Sequence, residues 1–226
     1  MAIILNIETS GQICSVSIAD NEKVLSENVG STVNDHASQL TNLISSALEQ
    51  ASKKINELDA IAVSSGPGSY TGLRIGTSTA KGICHALQIP FISIPTLQAM
   101  ALGASLATES DYLFCPLIDA RRFEVFTAIY TGTGEEIFEP QPLILTENIF
   151  HDFLQHQPVL FFGSGLMKSI PFINHSNAVF LKDYQHKASC FASLSYKKFA
   201  LNKFESLAYF EPQYLKSVYT TKGDSL

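Results

Sequence analysis

"SSGPGSYTGLRIGTSTAKG" (residues 64–82) follows the apolar run "DAIAVS" (59–64) and leads directly into helical spacing. A strand that feeds a glycine-rich turn at the mouth of a helix gathers unpaired backbone N–H groups and the positive end of a helix dipole at one point, which suits an anion. The same glycines also serve where a turn is tight or two segments come close. The stretch lacks the G-x-x-x-x-G-K-[ST] pattern, because Leu73 follows Gly72 and the next lysine is Lys81, and it lacks G-x-G-x-x-G spacing. The residues therefore leave both readings open: phosphate cradle or packing corner.

Within the helix that follows, Gly72, Gly76 and Ala80 recur at four-residue steps and leave a stripe poor in side chains. Each interior glycine costs about 1 kcal/mol relative to alanine, so the close approach of another helix is expected to offset it. A neighbouring stripe carries Arg74, Ser78, Lys81 and His85. It is either a solvated face or the polar rim of a subunit contact. The uncharged outer residues of the preceding helix, Ser38, Asn42 and Ser45, favour the rim.

Working outward, "AIILNIE" (2–8), "QICSVSIAD" (12–20) and "KVLSENV" (23–29) read as a β-meander. Leu40, Leu43, Ile44, Ala47, Leu48 and Ala51 then mark an amphipathic helix over 35–51, with Asn34 as its N-cap. A strand at 59–65, a helix at 71–87, the short strand "FISI" (91–94) and a helix over 96–109 complete a unit. The cycle resumes with strands "YLFCPLID" (112–119), "FEVFTAIYT" (123–131) and "EEIFE" (135–139), a helix near 147–155, strand "VLFFG" (159–163) and a long helix over 188–206. Three strands, helix, strand, helix, repeated once in weakened form, imply two related α/β lobes. The expected division is residues 1–100, carrying the partner-binding helices, and 101–226.

The chain has 226 residues, 46% apolar and 16% charged, enough for a full core. Its formal charge of −6, with no basic cluster longer than "KK" or "RR", disfavours a solitary nucleic-acid binder. Cys14, Cys84, Cys115 and Cys190 lie far apart and read as buried free thiols in a reducing compartment. "MAIILNIETS" carries no basic leader, and no run approaches a membrane-spanning length, so the expected location is the cytoplasm, away from any membrane.

Candidate catalytic groups occur only as fragments. Glu8, Thr9 and Ser10 end the first strand; a carboxylate beside hydroxyls can hold a hydrated metal ion or position a phosphate, and a strand-end turn bonded to its own backbone accounts for the same residues. His151 and His156 are five apart and cannot share a helix face, His175 and His186 stand alone, and no H-E-x-x-H or G-x-S-x-G occurs. Asp119, Arg121, Arg122 and Glu124 form a charged turn that is either a site or a salt-bridged hairpin.

"ILNIETS" (4–10), "GPGSYTGLRIGTSTAKG" (66–82), "IDARRFEVF" (118–126) and "EPQYLK" (211–216) resemble, in order and spacing, the TsaB (YeaZ) family, with the glycine motif the most specific part. The resemblance implies the two-lobed fold of acetate and sugar kinases, Hsp70 and actin, each lobe a mixed sheet with helices. It implies a non-catalytic subunit that pairs with the TsaD-type enzyme, which moves a threonylcarbamoyl group from its adenylate to N6 of adenosine 37 in tRNA. A TsaE-type ATPase joins the assembly, ATP and magnesium serve the assembled complex, this chain alone binds no cofactor, and tRNA is met only through the complex; pairing of two copies of this chain is a further implied contact. The implied subunit interface lies on the two helices of the first lobe, at His36, Leu40, Leu43, Ile44, Leu73, Arg74, Gly76, Ala80 and Ile83. A remnant nucleotide motif is carried by Glu8, Thr9, Ser10, Gly66, Pro67, Gly68, Ser69, Thr71 and Gly72. TsaD-like chains hold metal through H-x-x-x-H; here His36 has no such partner and no metal ligand is expected. Glu8 stands where aspartate is usual, Tyr70 where phenylalanine is usual, and Lys216 where arginine is more common. On this reading the small-residue stripe faces the partner, and Gly76→Leu abolishes pairing while leaving the fold intact. The competing function is an active ATP-dependent phosphotransferase or ATPase that uses Glu8 and the glycine corner; a peptidase ranks last, for want of a nucleophile–base pair or zinc ligands.

Overall fold

A computed structural model describes residues 1–33, 35–108 and 111–216. Among the described residues ten strands form two five-stranded sheets. The first has the order β3-β2-β1-β4-β5, with β1 Ile3–Glu8, β2 Ser15–Asp20, β3 Lys23–Val29, β4 Ala60–Gly66 and β5 Phe91–Pro95. The second repeats that order as β8-β7-β6-β9-β10, with β6 Leu113–Asp119, β7 Glu124–Tyr130, β8 Glu136–Ile144, β9 Val159–Phe162 and β10 Ala178–Leu181. In each sheet the three leading strands pair antiparallel and the later two parallel, so the duplicated pattern in the sequence is a duplicated topology. This is a two-lobed α/β fold, each lobe a mixed five-stranded sheet with helices.

Helices α1 (His36–Gln50) and α2 (Tyr70–Leu87) cover one face of the first sheet, packing Leu40, Ile44, Leu48, Ala80 and Cys84 on Leu5, Ile7, Val16, Ile61 and Val63. The cap residue of α1 is Asp35, without a side-chain cap bond, and Asn34 lies outside the described residues. Helix α3 (Thr96–Leu106) lies between the sheets: Ala99 joins the core of the first, and Leu97, Met100, Ala101 and Ala104 join that of the second. Burial on more than one side explains why its sequence is apolar nearly all round. Helices α4 (His151–Leu154) and α5 (Leu166–Ser169) cover the outer face of the second sheet.

Three expectations need correction. Strand β8 runs to Ile144, beyond "EEIFE", and β10 and α5 are elements that the sequence pattern does not predict. The long helix over 188–206 is a 3-10 turn (Ala188–Phe191) and a shorter helix α6 (Ala192–Ala200), which ends where Asn202 turns left-handed at φ 52°. Asparagine tolerates that conformation and so ends helices.

The chain after Lys187 returns to the first sheet. Phe191 is fully buried against Ala2, Ile4 and Ile92, and the last described residues form a strap across β5, β4 and α2. Glu205 N–H donates to the Phe91 carbonyl at 2.9 Å and Gln213 N–H to the Ser65 carbonyl at 2.7 Å, while Phe210 stacks edge-on against Phe91. Lys216, the last described residue of the strap, pairs with Glu124 of the second sheet. The strap therefore ties both sheets together across the glycine corner.

Candidate functional site

The ends of β1 and β4 and the start of α2 converge on the turn at residues 8–11. Ser69 caps α2, its hydroxyl accepting from Gly72 N–H at 3.2 Å, as the S-x-x-G spacing allows. That places the glycine corner beside the strand-1 turn, where a phosphate cradle would have to form.

Three backbone amides at this corner are engaged within the chain. Ser69 N–H donates to the Ser10 carbonyl at 2.7 Å, Thr9 N–H to the Ser64 hydroxyl at 3.2 Å, and Ser10 N–H to Glu8 Oε1. The glycines make room for protein. A Cβ on Gly66, whose φ is +107°, would stand 2.5 Å from the Gln213 carbonyl, and one on Gly68 would stand 2.5 Å from the Ser10 carbonyl. On Gly72 or Gly76 a Cβ would fall well inside 3.0 Å of Thr9, meeting its carbonyl in the first case and its hydroxyl in the second. Gly66 thus seats the strap, Gly68 seats Ser10, and Gly72 and Gly76 seat Thr9. Pro67 is buried between them.

This corrects the reading of the small-residue stripe. Gly72, Gly76 and Ala80 face inward, toward the end of β1, and Leu40, Ile44 and Leu73 are 1%, 4% and 0% exposed in the core. His36 is buried as well, its Nε2–H donating to the Gly11 carbonyl at 3.0 Å, so it braces the strand-1 turn. None of these side chains offers surface to a partner, and Gly76→Leu would disturb the fold itself. Of the expected interface, Arg74 is exposed and Leu43 and Ile83 are half-buried; of the motif residues, Thr71 is exposed and Ser69 half-buried.

What α1 and α2 do present is different. Ala37, Ser38, Thr41, Asn42 and Ser45 on α1, and Ser78 and Gly82 on α2, form a small, uncharged outer surface. A Cβ on Gly82 would meet nothing within 4 Å. At one end the Arg74 guanidinium lies 4.2 Å over the Tyr70 ring while its Nε–H donates to the Tyr214 hydroxyl at 3.2 Å, so the strap fixes its position.

On the other side of the strand-1 turn stands His186, which no spacing in the sequence links to another candidate residue. Glu8 is fully buried, and its Oε1 lies 3.2 Å from His186 Nε2, which is also 3.0 Å from the Ser10 hydroxyl. Burial pushes the Glu8 carboxyl up, but His186 and the Ser10 hydrogen bonds outweigh it and hold the group below the usual carboxylate range. Serine, histidine and carboxylate suggest a hydrolytic relay, yet both contacts fall on one ring nitrogen. A nitrogen that donates to Glu8 cannot take the serine proton, so the trio is no nucleophile–base pair. Among the described residues no three His, Cys, Asp or Glu side chains are grouped to hold a metal ion.

The Asp119–Glu124 turn is a hairpin tip, held by Lys168, which pairs with Asp119 and donates to the Arg122 carbonyl at 3.2 Å, and by Lys216 on Glu124. His151 and His175 meet edge-on at 5.8 Å. Neither group lies at the strand-1 turn. No helix among the described residues is long and apolar enough to cross a membrane.

Residues 23–151 match the family model described as "TsaD: tRNA N6-adenosine threonylcarbamoyltransferase". The tRNA threonylcarbamoyladenosine biosynthesis protein TsaB of Bacillus subtilis is 30% identical over 163 residues, 71% of this chain and 70% of that protein. The chain belongs to the TsaB (YeaZ) family. The TsaB of Escherichia coli aligns over 95% of this chain and 94% of its own length at 26% identity. The solved structure of YeaZ from Pseudomonas aeruginosa superposes with a TM-score of 0.82 at 24% identity, covering 95% of this chain and all of that one, and so shares the fold. In this chain the glycine motif is a set of sockets for the strand-1 turn and the strap.

Proposed function

We propose that this chain is a partner subunit in formation of N6-threonylcarbamoyladenosine at position 37 of tRNA, docking through the outer faces of α1 and α2 onto a TsaD-type transferase and carrying out no chemistry itself. The observation that carries the non-catalytic reading is the closed strand-1 turn. A kinase-like scaffold acts on phosphates only if amides and a cation site stand open at that turn, and here Thr9, Ser10, Gln213 and His186 fill the space.

The docking surface is argued from what the two helices expose. Small uncharged side chains let helix backbones approach closely and cost little to desolvate, while a rigid arginine at the edge supplies orientation. Arg74 is held rigid by Tyr70 and Tyr214, and the inward residues of both helices are already committed to the core. A TsaE-type ATPase joins the assembly in this reading, and the negative chain meets tRNA only through its partners. Two copies of the chain can pair through the same face when no transferase is present. The working compartment is the cytoplasm.

Calorimetry of the isolated chain with ATP and magnesium tests the non-catalytic reading. The expected result is no binding heat at millimolar nucleotide. Saturable 1:1 binding that Glu8→Gln removes would overturn it and restore the phosphotransferase reading.

A further inference from the structure

The strand-1 turn is met by Gly68 of the corner, by Gly72 and Gly76 of α2, and by the His186 ring. Glu8 has two carboxylate oxygens buried from water. Oε1 accepts from Ser10 N–H and lies 3.2 Å from His186 Nε2; Oε2 has no hydrogen-bond partner among the described residues. A buried carboxylate is stable only with a compensating donor or cation, and His186 is the ion-pairing partner Glu8 has among those residues. The ring lies against the turn, with its Cε1 at 3.4 Å from where a Cβ on Gly11 would sit.

The neighbouring titratable groups do not compete for Glu8. Burial pushes the Cys14, Tyr184 and Cys190 protons up in pKa, so these groups stay neutral. Glu27 is occupied by Ser189 N–H at 2.8 Å. The segment that carries His186 is fastened by the same few contacts: Ala188 N–H donates to the Ser15 hydroxyl at 2.9 Å, and Phe191 enters the core. That segment follows directly on β10, the last strand of the second sheet.

We propose that His186 is a built-in ligand of the strand-1 turn: its imidazole fills the place beside Glu8 and Ser10 that an external cation would need, and by filling it fastens the segment leading out of the second sheet onto the first. The turn is then a ligand site whose occupant is covalently part of the chain, and occupation by His186 and by an external cation are mutually exclusive. This goes beyond the proposed docking role, because it requires no partner protein and is read on the isolated chain.

Chemical rescue tests it. His186→Ala leaves a ring-sized gap beside Glu8, and its melting temperature is expected to fall by about 5–15 °C, as when one member of a buried pair is removed. Imidazole at tens of millimolar should restore at least a third of that loss in His186→Ala, and change neither the wild type nor the Glu8→Gln/His186→Ala double variant. His186→Gln, which keeps a donor and folds if the alanine variant does not, should lose less and gain nothing from imidazole. The proposal is overturned if imidazole fails to raise the melting temperature of a folded His186→Ala, if it raises that of the double variant equally, or if His186→Gln is as stable as wild type and Glu8→Gln no different from either.

Discussion

Replacing Gly76 by alanine sets two effects of opposite sign against each other. Alanine in a helix interior is favoured over glycine by about 1 kcal/mol. At Gly76 the new Cβ falls well inside 3.0 Å of the Thr9 hydroxyl, with the Thr9 methyl at 3.2 Å and its Cβ at 3.3 Å. Thr9 is fully buried and β-branched, so any rotation that clears the hydroxyl drives it or the methyl into packed neighbours, and relief requires the helix or the strand-1 turn to shift. Overpacking of this kind costs about 1–3 kcal/mol, and a contact this close belongs at the upper end. The net expectation is a loss of about 1–2 kcal/mol, or roughly 2–8 °C in melting temperature for a chain of this size. Gly82→Ala is the matched control: its Cβ meets nothing within 4 Å, so it should gain up to about 1 kcal/mol. Combining Gly76→Ala with Thr9→Ala should recover most of the Gly76 loss, since the hydroxyl and methyl are gone. Equilibrium urea unfolding of the four proteins measures all of this. If Gly76→Ala proves as stable as Gly82→Ala, the stripe does not seat Thr9 and faces outward after all.

Other outcomes follow from the same geometry. Ser78→Arg, on the exposed face of α2, should leave the melting temperature unchanged and reduce affinity for the TsaD-type subunit at least about tenfold in titration calorimetry; unaltered affinity would remove that face from the contact. Because the Glu8 carboxyl is held below its unfolded value of 4.5, its stabilising contribution is complete above that value and disappears as pH falls through the lower folded value. Wild type should therefore lose stability more steeply than Glu8→Gln between about pH 5 and pH 3, and parallel profiles would show that Glu8 is not specifically stabilised. Burial pushes the thiols of Cys84 and Cys115 up to about 12, so both should resist a thiol reagent at pH 8 until the chain unfolds; prompt native labelling of either would contradict its burial.

Much of this architecture is legible in the sequence because local periodicity and chain order carry it. The meander, α1, α2 and the duplicated order of elements each leave a signal within their own residues. What periodicity does not carry is the direction in which a small residue looks. Gly72, Gly76 and Ala80 form a stripe on any reading, but that it abuts Thr9 rather than another protein depends on how β1 ends, which lies far away in the chain. His186 was invisible for the same reason: its partner Ser10 is 176 positions away, and no spacing rule links them. The overlong C-terminal helix is a different miss, since Asn202, with its tolerance of positive φ, was a local stop signal that apolar periodicity outweighed. The strap hides in the sequence as the motif "EPQYLK", whose Gln213 and Tyr214 acquire a purpose only against Ser65 and Arg74.

The central claim is that this chain keeps a kinase-like scaffold for docking and leaves the chemistry to a partner. The most direct measurement is a reconstitution that combines tRNA, the threonylcarbamoyl-adenylate synthase, and the TsaD- and TsaE-type proteins, with and without this chain. The account predicts modified adenosine only when the chain is added, and none when it replaces the TsaD-type protein. Modification proceeding at the same rate without it, or appearing with it in place of that enzyme, would contradict the account.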